Sequence, residues 1–124
     1  MSNANLVKNF KAEAAIAAFT IVKHGAADGQ VLTAAAVADK LFGVSTDIPA
    51  AINERCDVIL GGLADVLYGG AVTRGDLLTS DASGRAVAAA PAAGTNNRII
   101  GMAVVSGVLG DIGQVDINQG MMQG

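Results

Sequence analysis

The chain has 124 residues, which suits a single domain, and 52% of them are hydrophobic although only 3% are aromatic. Much of the apolar content is alanine, so we expect a thin core that relies on oligomerisation or a partner surface for further burial. A net charge of −3 with scattered lysines and arginines excludes nucleic-acid binding by phosphate neutralisation, and no uncharged apolar run is long enough for a membrane span.

The N-terminal region predicts an extended arm followed by β-structure. Residues 1–11 are polar with isolated apolar residues at Leu6, Val7 and Phe10, so we expect them to lie outside the core. The next stretch, "KAEAAIAAF", has the composition of a short helix, whereas the β-branched and aromatic cluster "FTIV" favours a strand. The turn signal "HGAADGQ", then "VLTAAAV" and "KLFGVST", predict a hairpin followed by another strand.

The central segment "CDVILGGLADVLYGG" alternates as a β-strand does. Its glycine pair, Gly61 and Gly62, permits either a tight turn or a bulge. The loop before it opens at "DIP" and has room for one helical turn, "AAINER". We therefore expect one or two short helical turns at most.

Two turns follow in "VTRGDLLTSDASGRAV", and they set the spacing of four candidate structural residues, Gly75, Asp76, Asp81 and Gly84. Aspartate accepts local backbone N–H groups and glycine adopts positive φ, so both residue types favour turns. The remaining strands are predicted in "RAVAAA" and twice in "RIIGMAVVSGVLGDIGQVDI", and residues 119–124 are expected to form a flexible tail.

The sequence carries little that could perform catalysis or hold a metal. His24 is the one histidine and lies in a turn, Cys56 is the one cysteine, and no serine lies in a G-x-S-x-G motif. We therefore predict no enzyme activity, no cofactor and no metal site, and we interpret Cys56 as a small strand residue.

Two local motifs have alternative interpretations. The adhesion tripeptide Arg74-Gly75-Asp76 is better explained as a turn before a strand. A lipoyl- or biotinyl-type carrier domain would present a modifiable lysine at a hairpin tip, and Asp39-Lys40 is the one match, without the flanking pattern. A carrier or binding module of a cytoplasmic complex is therefore kept as the alternative function, with Lys40 as its modification site.

An ordered series of elements over roughly residues 12–118 resembles the small capsid decoration (cement) proteins of tailed bacteriophages. The series comprises "IVKHG", "LFGVS", the double turn "GDLLTSDASG", "IIGMA" and "GDIG". The resemblance implies a compact β-barrel or β-tulip (β-clip-like) fold akin to the lambda-type head decoration protein. It divides the chain into an arm (1–11), a β decoration domain (12–118) and a tail (119–124).

The resemblance also implies a function. It predicts homotrimers on the outer surface of a phage capsid, bound to the major capsid protein, with no catalysis, cofactor, nucleic acid or membrane. An arm of this kind adds a strand or wraps across capsid subunits. We therefore expect capsid contacts from five arm residues: Asn3, Asn5, Leu6, Val7 and Phe10. Another virion component of similar β-fold is a further alternative.

Overall fold

The computed structural model describes the backbone of residues 3–124 and the side chains of residues 5–124. The described chain contains nine β-strands and no helix. Their bounds are β1 Asn3–Ala12, β2 Ile21–His24, β3 Gln30–Thr33, β4 Leu41–Ser45, β5 Arg55–Leu67, β6 Leu77–Ser80, β7 Ala86–Ala88, β8 Asn96–Ala103 and β9 Ile112–Gln123. The prediction of a mainly-β domain built on a compact barrel is confirmed.

The first five strands close into a barrel in the order β1-β3-β2-β4-β5, and β5 pairs again with β1. The end of β1 runs parallel to β3, through the pairs Lys11↔Gln30 and Ala12↔Val31. Its whole length runs antiparallel to β5, ending at Lys11↔Arg55. Closure removes the free strand edges of this unit, so β1 is a wall of the barrel.

The remaining strands extend from the second half of β5 in the order β5-β9-β8-β6-β7, which we call the second sheet. A parallel bridge between Tyr68 and Ala86 brings β7 back to the end of β5. The long strand β5 therefore belongs to both units: its first half pairs with β1 and β4, and its second half pairs with β9.

The buried hydrophobic residues form two clusters. One fills the barrel and contains Phe10, Ala12, Ile16, Val22, Val31, Ala50, Cys56 and Val58. The other joins barrel residues such as Ile21, Val44 and Ile59 to second-sheet residues such as Ile100 and Val115. Because small aliphatics dominate both clusters, each contributes burial from many modest contacts and few large ones.

One alternative left open by the sequence and two of its expectations differ from the structure. The helix considered for "KAEAAIAAF" does not form, because Ile16 is buried and exchanges backbone hydrogen bonds with Ala50. The segment 1–11, expected as an arm, lies within β1 from Asn3 onward. The tail expected to fray is the end of β9, which pairs with β8 as far as Gln123↔Asn96. In each case, long-range pairing satisfies backbone groups that local composition leaves open.

Candidate functional site

The outward face of β1 presents two neighbouring apolar side chains to solvent. Leu6 is 55% exposed and Val7 is 48% exposed, and Asn5 before them is also exposed. A bulge explains why two consecutive residues are both accessible: Leu6 pairs with Gly61 and Val7 pairs with Ile59, so Leu60 has no partner on β1. A bulge of this kind re-aims side chains next to it.

Phe10, expected among the contact residues of the arm, belongs instead to the barrel core. It is 8% exposed and packs in the cluster that fills the barrel. Strand alternation gives the reason, since Phe10 pairs with the inward-facing Cys56. The side chain of Asn3 lies outside the described residues. Of the five expected contact residues, the structure therefore presents Asn5, Leu6 and Val7 on the surface.

Val7 also lines a cleft of about 380 Å³ beside the barrel wall. Its apolar part is formed by Val7, Phe19 and Ile59. Polar residues complete the lining: Ser45 ends β4, Thr46 and Asp47 follow it, and Asp65 lies on β5. An apolar floor with a few polar groups is typical of a surface that binds a protein segment or a ligand.

Phe19 adopts a φ of 56°, in the left-handed region that bulky residues rarely occupy. Two hydrogen bonds hold it there: its N–H donates to the Thr46 carbonyl at 3.1 Å, and its carbonyl accepts the Leu67 N–H at 2.9 Å. Strained residues of this kind persist only where the surroundings impose them, and they are concentrated at binding and catalytic sites. No sequence signal marks this cleft, because Phe19 stands in the strand-forming cluster "FTIV" and its positive φ is visible only in the structure.

A network of polar side chains lies on the outward faces of β1 and β5. Asn9 Nδ2 donates to Asp57 Oδ1 at 3.0 Å, and Arg55 Nε donates to Asn9 Oδ1. The three exposed side chains therefore hold one another in place, and they flank the apolar pair Leu6 and Val7 with fixed polar groups. An apolar centre with a polar rim is the usual composition of a protein interface.

The four candidate turn residues all lie in turns that use their side chains or their φ angles. Gly75 has a φ of 96° and Gly84 a φ of 74°. Asp76 Oδ2 accepts the Thr73 N–H at 2.9 Å, while Asp81 accepts the N–H groups of Ser83 and Arg85 and pairs with the Arg85 guanidinium at 2.8 Å. The carboxylate of the Arg-Gly-Asp tripeptide is thus engaged within its own turn.

The residues considered for other chemistry are placed apart from the cleft. Lys40 precedes β4 in the connection from β3, and since β2 lies between these strands, Lys40 is not at a hairpin tip. Cys56 is buried in β5, and its burial, together with Asp57, raises the pKa of the thiol. Within residues 3–124, no group of His, Cys, Asp and Glu is arranged to hold a metal ion.

Among the described residues, we find no helix with the length and apolar character needed to span a membrane.

Comparisons with known proteins agree with this architecture. A family model described as phage cement protein matches residues 1–115. Among solved structures, the head fiber gp8.5 N base of bacteriophage phi29 superposes with a TM-score of 0.68 at 16% sequence identity, covering 96% of this chain and 98% of that chain. At this identity the superposition shows a shared fold. No curated protein sequence matches the chain.

Proposed function

The chain belongs to the phage cement protein family, and from this membership we propose that it decorates the outer surface of a phage head as homotrimers bound to the major capsid protein. Membership itself makes the chain a structural, capsid-associated protein of a phage virion. The finer role is cementing: many copies bound at repeated positions would hold neighbouring shell subunits together through multivalency. Such a role requires contact surfaces, with no reacting groups and no cofactor.

The exposed pair Leu6 and Val7 is the observation that carries the proposed contact. Both side chains are about half exposed in the folded chain and lie beside a cleft. A partner that covered them would therefore remove further apolar surface from water. Asn5 and the Asn9–Arg55–Asp57 network supply polar groups around them. We assign capsid contact to Asn5, Leu6 and Val7, with the cleft beside Phe19 receiving a side chain of the capsid protein.

The closed barrel limits how β1 can engage a capsid. Adding a strand requires free backbone groups, and those of β1 are paired with β5 along its length and with β3 at its end. Contact through outward side chains keeps the barrel closed, whereas strand addition would first separate β1 from β5. Removing residues 2–11 would also remove Phe10 from the core, so a deletion cannot separate binding from folding.

A double substitution tests the contact without opening the barrel. Leu6→Asp with Val7→Asp replaces two exposed side chains and should abolish co-sedimentation with undecorated capsids, while circular dichroism still reports a folded β-protein. Val37→Asp is the matched control, since Val37 is 40% exposed on the β3–β4 connection and away from β1. A double variant that saturates capsids as the wild type does would rule out this contact surface.

The fold shared with the phi29 head fiber base supports a second candidate within the same class, the base of an appendage anchored on the head. Electron microscopy of particles carrying the protein separates the two roles. A cement protein gives density at regular positions over the whole shell, and an appendage base gives density beneath projecting fibres. The carrier alternative is not supported, because Lys40 is not presented at a hairpin tip and the family is a structural one.

A further inference from the structure

Three of the five ring side chains of this chain lie together at one end of the barrel. The sequence has three phenylalanines and one histidine, and Phe10, Phe42 and His24 stack together. The ring centroids of Phe10 and Phe42 are 4.9 Å apart in an edge-on arrangement, and those of His24 and Phe42 are 4.1 Å apart. Phe10 closes the core, while Phe42 is half-buried and His24 is exposed, so part of the stack faces solvent.

Two lysines lie beside this stack. Lys8 Nζ lies 5.7 Å from the Phe10 ring centroid, in cation–π range, and Lys40 lines the same cleft as Phe42 and His24. One carboxylate, Asp28, lines the cleft as well. We call this surface the barrel mouth and define it by Lys8, Phe10, His24, Lys40 and Phe42. Its aromatic floor and excess of cations suit an apolar partner surface that carries carboxylates.

A surface of that composition lies on the second sheet of the same chain. Directly paired residues share one face of a sheet, and the pairs Leu67↔Ile112, Asp65↔Gln114 and Met102↔Asp116 lie on the face turned away from the core. Leu63 pairs with Asp116 and Leu77 with Met102, which extends the face over four strands. We call it the second-sheet outer face, defined by Leu63, Asp65, Leu67, Leu77, Met102, Ile112, Gln114 and Asp116.

This face is apolar at its margins and acidic at its centre. Ile112 is 54% exposed, Met102 47% and Leu77 36%. The charged residues at these paired positions are Asp65 and Asp116, and Gln114 Nε2 lies 3.5 Å from Asp65 Oδ1. Exposed aliphatic side chains around carboxylates complement the aromatic floor and lysines of the barrel mouth in both polarity and charge.

We infer that copies of this chain associate head to tail, the barrel mouth of one copy receiving the second-sheet outer face of the next. Pairing each surface with itself would set Lys8 and Lys40 against their own copies, or Asp116 against its own copy, which like-charge repulsion disfavours. A contact between two different surfaces generates a closed ring when the rotation permits. This rests on the homotrimer proposed above and specifies which surfaces form it.

Charge reversal of the full chain tests this contact, with mass measured by light scattering after size exclusion. The wild type should show the mass of three copies. Lys8→Glu with Lys40→Glu, or Asp116→Lys alone, should raise the dissociation constant at least about tenfold and shift the mass towards one copy. The triple variant Lys8→Glu, Lys40→Glu and Asp116→Lys restores opposite charges and should recover the trimer.

Matched controls and a second readout separate the possible failures. Lys11→Glu and Glu54→Lys reverse the charges of residues that belong to neither surface and should keep the wild-type mass. Circular dichroism checks that every variant folds. A wild type that stays monomeric, or a trimer that ignores both reversals, overturns the head-to-tail contact. Co-sedimentation with capsids tests decoration separately from the head-to-tail contact. Monomers that still bind capsids would contradict the head-to-tail contact and leave decoration supported. Trimers that respond to charge reversal as expected but do not bind capsids would contradict decoration and leave the contact supported.

Discussion

The hydroxyl of Tyr68 donates a hydrogen bond of 2.7 Å to the carbonyl of Val105, joining the end of β5 to the connection between β8 and β9. Tyr68 is fully buried, and its ring lies so close to Gly113 and Gly107 that a Cβ at either position would meet it within 3 Å. Burial raises the pKa of this phenol, which keeps it protonated as a donor. The connection it supports carries Val108 and Leu109 at about 60% exposure, so one buried side chain fixes an exposed apolar loop.

Tyr68→Phe should lower the free energy of unfolding by about 1–3 kcal/mol, because the Val105 carbonyl loses its donor while the ring stays in place. Urea denaturation followed by circular dichroism measures the change. Ser106→Ala is the control, since the Ser106 hydroxyl accepts the Arg74 N–H at an exposed position and should cost less. Equal losses of unfolding free energy in the two variants would contradict a special contribution of the buried Tyr68 hydrogen bond to stability.

Thr79→Val should leave stability unchanged or increase it. Thr79 is 1% exposed, and its hydroxyl has no hydrogen-bond partner among the described residues, so the isosteric valine removes a buried polar group that nothing satisfies. Ser45→Ala is the contrasting case: the Ser45 hydroxyl accepts the Thr20 N–H at 2.9 Å and donates to the Ala17 carbonyl at 2.8 Å. Thermal denaturation should rank Thr79→Val above the wild type or equal to it, and Ser45→Ala below both. A valine variant as unstable as Ser45→Ala would contradict this.

Phe10→Ala should destabilise the barrel by about 3–5 kcal/mol, as expected for a buried aromatic residue. Leu6→Ala, four residues earlier on the same strand, should change the free energy of unfolding by no more than about 0.5 kcal/mol, because Leu6 is exposed. Chemical denaturation of both variants distinguishes a core residue from a surface residue within β1. Similar small effects would mean that Phe10 is not part of the core.

Asp39 should make stability depend on pH in the acid range. Partial burial raises the pKa of this carboxyl, but the Ala35 N–H at 2.8 Å and Lys23 Nζ at 3.2 Å outweigh it, so the pKa lies below the usual 3.8. A lowered pKa adds stability above the unfolded-state value, and this is lost as the pH falls through the folded-state value. Asp39→Asn should therefore be less stable than the wild type at pH 7, with the difference shrinking towards pH 2.

The control for Asp39 is Asp28→Asn, at the exposed tip of the turn between β2 and β3, which should have little effect at either pH. Free energies of unfolding from denaturant titrations at the two pH values provide the measurement. A difference between Asp39→Asn and the wild type that is the same at pH 7 and pH 2 would remove the assigned role of the Asp39 carboxylate.

Cys56 should react slowly with iodoacetamide in the native protein. Its side chain is 2% exposed, and burial with the nearby Asp57 raises the thiol pKa, so little thiolate is present at neutral pH. Mass spectrometry of timed samples should show modification that accelerates sharply in denaturing urea. Cys56→Ser removes the reactive group and identifies any labelling elsewhere. Rapid labelling under native conditions would mean that the wall between β1 and β5 opens readily.

The sequence by itself determined the β class and the turns. It also carried the family resemblance, which the phage cement match confirms. These features are readable because they are local: alternation predicted the strands, and glycine and aspartate predicted where the chain turns, as at Gly75 and Gly84 with their positive φ angles. The bulge allowed by Gly61 and Gly62 was readable for the same reason, although a turn at that position was equally compatible with the sequence.

Only the tertiary structure decided the role of the chain ends and of single side chains. Polar composition predicted an arm and a tail, yet β1 closes the barrel and β9 pairs with β8 to Gln123, since unpaired backbone groups find partners far away in sequence. The inward direction of Phe10, the strained Phe19 beside Val7, and the stacking of Phe42 with His24 likewise depend on strands brought together by closure. Local sequence pattern carries no information about these long-range neighbours.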